Sequence, residues 1–337
     1  MENTSVKIQM EKIRGYEKGF FAITLINLGA KLGIFEALNE SKDGLTVPVL
    51  ANKLGLHEPY LKIWCQTAYH FEILDGDDQG RFRLQPFLDE ILADKNNFRN
   101  YLANIALDVD LIGPGFLKAE ELFRTGKLAD YSEVPYEATK NIAMVFLFMI
   151  FPKHEQLKQK LDQGVRFLDI GCGNGNLIIQ LAQAFVNSTF VGIGPDDYGI
   201  KSAQKAIAEL GLKERVSVEQ LGGEGLTFKD EFDIASLVLT LHEIQPAIRE
   251  NAVKNVYGAL RKGGHLLVLD FPYPSKLEDF RNPLYNYGIL DQFYEICVGN
   301  LHLDNDQQNE MLTAAGFKNI QRESIGRGMF DFITAEK

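Results

Sequence analysis

Cysteine is scarce: 3 in 337 residues, at Cys65, Cys172 and Cys297. Their wide spacing matches neither a disulfide framework nor a zinc pattern, which predicts free thiols in a reducing compartment. Basic charge is also in short supply, with 35 Lys and Arg against 46 Asp and Glu and a formal net charge of −11. Such a chain repels polyphosphate backbones, so nucleic acid is not an expected partner. No uninterrupted apolar run approaches the roughly 20 residues needed to span a bilayer, and the residues through Lys18 are largely polar and charged. Neither membrane insertion nor secretion is expected, and the expected location is the cytoplasm. Low-complexity tracts and internal repeats are lacking too. The 45% of apolar residues, over this length, suits two packed domains rather than one.

From Phe20 to Leu38 the residues Phe21, Leu25, Leu28, Leu32 and Phe35 recur at helical spacing, with a break at Gly33. Thr46 stands where an N-cap would, Pro48 falls in the first turn, and Gly55 closes a short second helix. A third helix is predicted from Glu58 to about Tyr69, with Leu61, Trp64, Cys65 and Ala68 inward. The runs 71–74 and 81–84 flank a Gly- and Asp-rich turn and predict a β-hairpin. Helices followed by such a hairpin read as a winged helix. A groove-reading helix needs several Arg, Lys, Asn or Gln donors, whereas the candidate segment offers Lys62 beside Glu58, Tyr60, Trp64 and Phe71. The expected role is therefore packing and dimerisation. This domain is assigned to residues 1–95, followed by a helical connector over 96–160 whose stretch Ile142–Phe151 is apolar on every side and predicted to be buried.

Beyond Val165 the pattern alternates strand and helix. Strands are predicted at 165–170, 189–193, 216–219, 232–239 and 265–270, with helices between them, and runs at 318–324 and 329–335 predict a closing hairpin. Apolar strands separated by helices imply an α/β, Rossmann-like domain over 161–337, its mostly parallel sheet ending in an antiparallel hairpin. After the first strand comes Asp169-Ile170-Gly171-Cys172-Gly173-Asn174-Gly175, opening a helix. Glycines there let backbone pass close to a ligand that faces the helix N-terminus, although a purely structural turn can be glycine-rich as well.

The spacing Asp-x-Gly-x-Gly-x-Gly resembles motif I of class I S-adenosylmethionine-dependent methyltransferases, and Arg261-Lys262-Gly263-Gly264 resembles the family's turn before a later strand. With the N-terminal winged helix, the resemblance extends to the caffeate and hydroxyneurosporene O-methyltransferase type. It implies S-adenosylmethionine as cofactor, held by Asp169, Gly171, Gly173 and Gly175, a homodimer, and a small organic substrate. The pattern departs from the family where acids usually contact ribose and adenine. Gly194 and Gly222 stand there, with Asp196 and Glu224 as displaced carboxylates.

The resemblance also places His242-Glu243 at the family's His-Asp pair, in which the histidine deprotonates the acceptor hydroxyl. An imidazole suits that task near neutral pH, and the open alternatives are a strand cap or a cofactor contact. Asp270, at the end of the fifth strand, is expected either to orient that base or to cap a turn. The connection from Phe271 to Asn309 is long and rich in aromatics, as a lid over an apolar or aromatic substrate would be. Met149, Tyr294 and His302 are candidate substrate contacts. His242, His302 and an acid have the ligand types of a two-histidine, one-carboxylate metal site, but their separation leaves no spacing to test, and no metal is assigned. The expected reaction is methyl transfer, at oxygen. The alternative is a non-methylating reaction on the same fold, such as a cyclisation, rearrangement or lyase step.

Overall fold

The computed structural model describes residues 5–117, 119–126 and 139–337. The chain separates into two compact units, Met1–Lys118 and Ala119–Lys337. The division falls inside the stretch 96–160 expected to form a separate connector.

In the first unit, helix α1 (Val6–Lys31) gives way to α2 (Ile34–Asn39) through Gly33, whose φ of 71° is cheap only for glycine. A short strand, β1 (Leu45–Thr46), leads into α3 (Val47–Leu54), which ends at Gly55 with φ 65°. In α4 (Glu58–His70), Leu61, Trp64, Cys65 and Ala68 are buried, as their spacing predicted. The hairpin begins at β2 (Leu74–Gly76), later than expected, because Phe71 caps α4 and Glu72 takes a φ of 57°. Strand β3 (Arg81–Leu84) pairs with both β2 and β1. Short helices α5 (Leu88–Leu92), α6 (Leu102–Ala106) and α7 (Gly113–Phe116) follow. The core gathers Phe35, Leu38, Leu50, Trp64 and Leu74. Each such side chain contributes roughly 1.5–3 kcal/mol by leaving water.

The second unit opens with α8 (Ala119–Thr125), α9 (Ile142–Val145), a π-helical turn over Phe146–Ile150, and α10 (Glu155–Gln163). The segment Ile142–Phe151 is not buried on every side. Phe146, Ile150 and Phe151 are in the core, but Phe148 is 71% and Met149 39% exposed. The turn packs one face onto the sheet, where Phe146 meets Phe332 edge-on, and leaves the other outside.

Strands and helices then alternate: β4 (Arg166–Ile170), α11 (Asn176–Ala184), β5 (Thr189–Gly194), α12 (Asp197–Glu209), β6 (Val216–Gln220), β7 (Phe232–Val238), α13 (Pro246–Ala259) and β8 (Leu260–Asp270). The long connection holds α14 (Asn286–Glu295), followed by α15 (Asn305–Ala315) and the hairpin β9 (Lys318–Ile325) and β10 (Phe330–Glu336). The sheet order is β6-β5-β4-β7-β8-β10-β9, parallel through β8, with β10 and β9 antiparallel. Side chains alternate across the sheet: on β4, Phe167 joins the core under α11 and α12, and Leu168 the core under α13 and α15. Both faces are covered, which is why these strands read as continuous apolar runs.

Candidate active site

The strand order reverses beside β4, so the loops after β4 and β5 run to one side and those after β7 and β8 to the other. A crevice opens at such a switch point, outside the carboxyl ends of the strands. Every sequence-predicted site residue of the sheet lies on this edge.

The glycine loop follows β4. Gly171, Gly173 and Gly175 have φ of 75°, 51° and 77°, a left-handed run that side chains resist. The backbone N–H groups of Gly171 and Cys172 donate to Ile193 O at 2.8 and 2.9 Å and tie the loop to β5. A methyl on Gly171 would collide with the Thr240 side chain. Beneath the loop Asp169 is buried and accepts a 2.6 Å hydrogen bond from Ser236 Oγ. Burial outweighs that bond and pushes its carboxyl up to about 7.

The displaced acids have different fates. The Glu224 carboxylate folds back over Gly222 and occupies the space a side chain at 222 would fill. Asp196 caps α12, accepting from Gly199 N at 2.7 Å and Tyr198 N at 3.3 Å. At Gly194 a Cβ would sit 3.8 Å from the backbone nitrogens of Cys172 and Gly173, so this position packs against the loop at ordinary contact distance.

After β7, Leu239 turns the chain at φ 53° and delivers His242, which is 3% exposed. Its Nδ1 lies 2.7 Å from Asp270 Oδ1, which also accepts from Phe271 N at 2.9 Å. Burial pulls the imidazole down, but the Asp270 charge and hydrogen bond overcome it and raise His242 to about 10. Asp270 is buried too, yet the facing imidazole holds it below the usual carboxylate range. Glu243 is exposed. His302 is buried and stacks on His242 with ring centroids 4.2 Å apart and planes 24° apart, and Tyr273 stacks with His302 in turn. Tyr294 is half-buried, which raises its hydroxyl. Met149 lies beside the β9–β10 turn, at Gly326.

Two residues of this cluster were not anticipated. Asp291, on α14, puts Oδ2 2.8 Å from His302 Nε2 and 3.7 Å from His242 Nε2. Arg249 is 2% exposed; its Nε donates to Ile244 O (2.8 Å) and its Nη2 to His242 O and Leu301 O (2.9 Å each). It staples the loop after β7 to the segment carrying His302. A signal for Arg249 was present: it shares a helical face with Ala252, Val253 and Val256, and a charge on an apolar face must find partners. Nothing local marks Asp291.

Residues 167–264 match the family of methyltransferase domains. The ubiquinone/menaquinone biosynthesis C-methyltransferase of Blochmanniella floridana is 27% identical over 202 residues, 54% of this chain and 79% of that protein. Among solved structures, human N-acetylserotonin methyltransferase in complex with S-adenosylmethionine is similar with a TM-score of 0.75 at 14% identity, over 100% of this chain and 99% of that one. An O-methyltransferase family protein of Burkholderia thailandensis gives 0.74 at 15%, over 99% and 98%. At such identities the structural likeness shows the fold.

Proposed function

We infer, from the methyltransferase-domain match over residues 167–264, that the protein is a class I S-adenosylmethionine-dependent methyltransferase that methylates a small acceptor at oxygen with His242 as general base. The observation that supports the base is the buried His242–Asp270 pair, 2.7 Å apart at the carboxyl edge of the sheet. Asp270 holds the ring with Nδ1 committed and Nε2 turned toward the adjoining cluster, and it stabilises the imidazolium that forms when Nε2 takes the acceptor's proton. The strong proton affinity of the pair makes that transfer favourable once the ring is neutral.

The residues of the glycine loop fit the cofactor. Their left-handed backbone lets the loop pass with no side chain of its own at positions 171, 173 and 175, and Gly194 lies against it at contact distance. Gly171, Gly173 and Gly175 would hold the methionyl part over Asp169. Glu224 supplies, from its folded-back position over Gly222, the carboxylate on the adenosine side, and Asp196, which caps α12, is the second carboxylate there. When bound, S-adenosylmethionine supplies an activated methyl group, so the protein's task is orientation and removal of one proton. Tyr273, Phe271, Tyr294 and Met149 provide aromatic and apolar surface for the acceptor. The methyltransferase-domain match disfavours the non-methylating alternative.

The first unit is read as a winged-helix packing module. Its α1 exposes Tyr16, Phe20, Phe21 and Leu28, apolar surface that a second copy would cover in a homodimer. Among the described residues no helix is long and apolar enough to cross a membrane, and the expected setting is the cytoplasm.

The test is production of S-adenosylhomocysteine with phenolic acceptors and a labelled methyl donor. His242→Ala should lower turnover about 10²–10⁴-fold while leaving S-adenosylhomocysteine affinity nearly unchanged. Full activity in that variant would remove the base role. Label found on carbon would replace oxygen as the target, in line with the C-methyltransferase relatives.

A further inference from the structure

Methyl transfer as described leaves Asp291 and His302 without a task, although they converge on His242. We propose that His242 Nε2, His302 Nε2 and an Asp291 carboxylate oxygen form a binding site for a divalent first-row transition cation.

Geometry is the first argument. One ligand atom from each residue lies within 4.8 Å of the other two. Ligand bonds of about 2.0–2.2 Å set donor atoms roughly 3–3.5 Å apart, so the wider gaps would close and the 2.8 Å His302–Asp291 pair open, within reach of small side-chain rotations. The second argument is the hydrogen-bonding of the ligands. Asp270 takes the Nδ1 side of His242, the carboxylate–histidine arrangement that orients a metal-binding imidazole. With that proton on Nδ1, a neutral His242 aims an Nε2 lone pair at the Asp291 carboxylate, acceptor against acceptor, 3.7 Å apart. A positive charge between them, either a proton on Nε2 or a metal ion, removes the conflict. Charge balance is the third. Asp270, Asp291 and Glu295 gather around the two rings, while the Arg249 guanidinium is committed to backbone carbonyls. A divalent ion balances more of this negative charge than a single imidazolium proton does.

Two imidazoles and one carboxylate select zinc, iron(II), cobalt(II) or manganese(II) over magnesium or calcium, which prefer all-oxygen shells. Three protein ligands leave coordination positions open to an acceptor oxygen, and a metal-bound hydroxyl gives up its proton near neutral pH. The inference rests on the methyl-transfer reading and changes one step of it: in the loaded protein Nε2 is a ligand and no longer the base, and a metal-bound acceptor hydroxyl gives its proton to water, which favours acceptors bearing a chelating hydroxyl.

The experiment is titration of the EDTA-treated, dialysed full chain with Co2+, followed by its visible d–d bands, and with Zn2+ by calorimetry. One equivalent per chain is expected, with His302→Ala and Asp291→Asn each losing the Co2+ spectrum. Asp270→Asn should keep the stoichiometry and weaken binding roughly 10–100-fold. Thermal melts of the same samples show which variants remain folded, and the near-isosteric Asp291→Asn carries the test if His302→Ala does not. No Co2+ or Zn2+ bound by the wild type, or binding unchanged in folded Asp291→Asn and His302→Ala, overturns the assignment. S-adenosylhomocysteine affinity, measured alongside, tests the cofactor reading separately: its absence with Co2+ retained would sink that reading and leave this one standing.

Discussion

Gly171→Ala probes whether the glycine loop depends on backbone conformation or on space. At φ 75° an alanine incurs the left-handed penalty, roughly 1–2 kcal/mol. Its methyl would also collide with Oγ1 and Cγ2 of Thr240 and come to 2.9 Å from Thr240 Cβ. Overpacking of this kind costs roughly 1–3 kcal/mol. The two effects together predict a loss of about 2–5 kcal/mol, read by urea unfolding, with weakened S-adenosylhomocysteine binding in calorimetry. Thr240→Ala alone forfeits its 3.0 Å hydrogen bond to Val238 O, worth about 1 kcal/mol. In the double variant the collision with Oγ1 and Cγ2 is gone while the conformational penalty stays, so the losses should fall short of additivity by about 1–2 kcal/mol. A Gly171→Ala protein as stable as wild type, or strict additivity with Thr240→Ala, would refute the close-approach argument.

The remaining predictions concern the supports of the site. The Asp169 carboxyl titrates near 7 when folded and near 3.8 when unfolded, so the native state keeps a proton that the unfolded chain loses. Stability should therefore fall as pH rises from about 4 to 7 and level off above, by on the order of 4 kcal/mol from this group. Asp169→Asn, which cannot ionise and can still accept from Ser236, should flatten that slope; identical pH profiles for the two proteins would show that burial does not raise the carboxyl. Arg249→Met strands the carbonyls of Ile244 and Leu301, leaves His242 O with Leu301 N–H alone, and should cost about 2–5 kcal/mol. As a positioning residue it should lower kcat more than it raises KM, and an unchanged kcat in the folded variant would mean that the staple does not set the His242 geometry.

Much of the fold was legible because its signals are local. Strand and helix alternation from β4 to β8 is written in apolar periodicity, and Gly171, Gly173 and Gly175 announce left-handed backbone that few other residues adopt. The inward set Leu61, Trp64, Cys65 and Ala68 follows from helical spacing alone. Periodicity failed at Ile142–Phe151, because an all-apolar run cannot say which of its faces the sheet will cover, and Phe148 stayed outside.

The site divides in the same way. The sequence by itself determined the loop glycines, the position of His242 after β7 and that of Asp270 at the end of β8, since each is tied to the end of a strand. Only the tertiary structure decided that the Glu224 carboxylate folds over Gly222, that Asp196 caps α12, and that Arg249 joins the loops on which His242 and His302 lie. It alone brought Asp291 against the Nε2 atoms of the two stacked histidines. The physical reason is that a pattern of apolar residues encodes which side of an element turns inward. Which polar groups then meet there is set by strand order and by the path of the long connection, and neither is a local property of the chain.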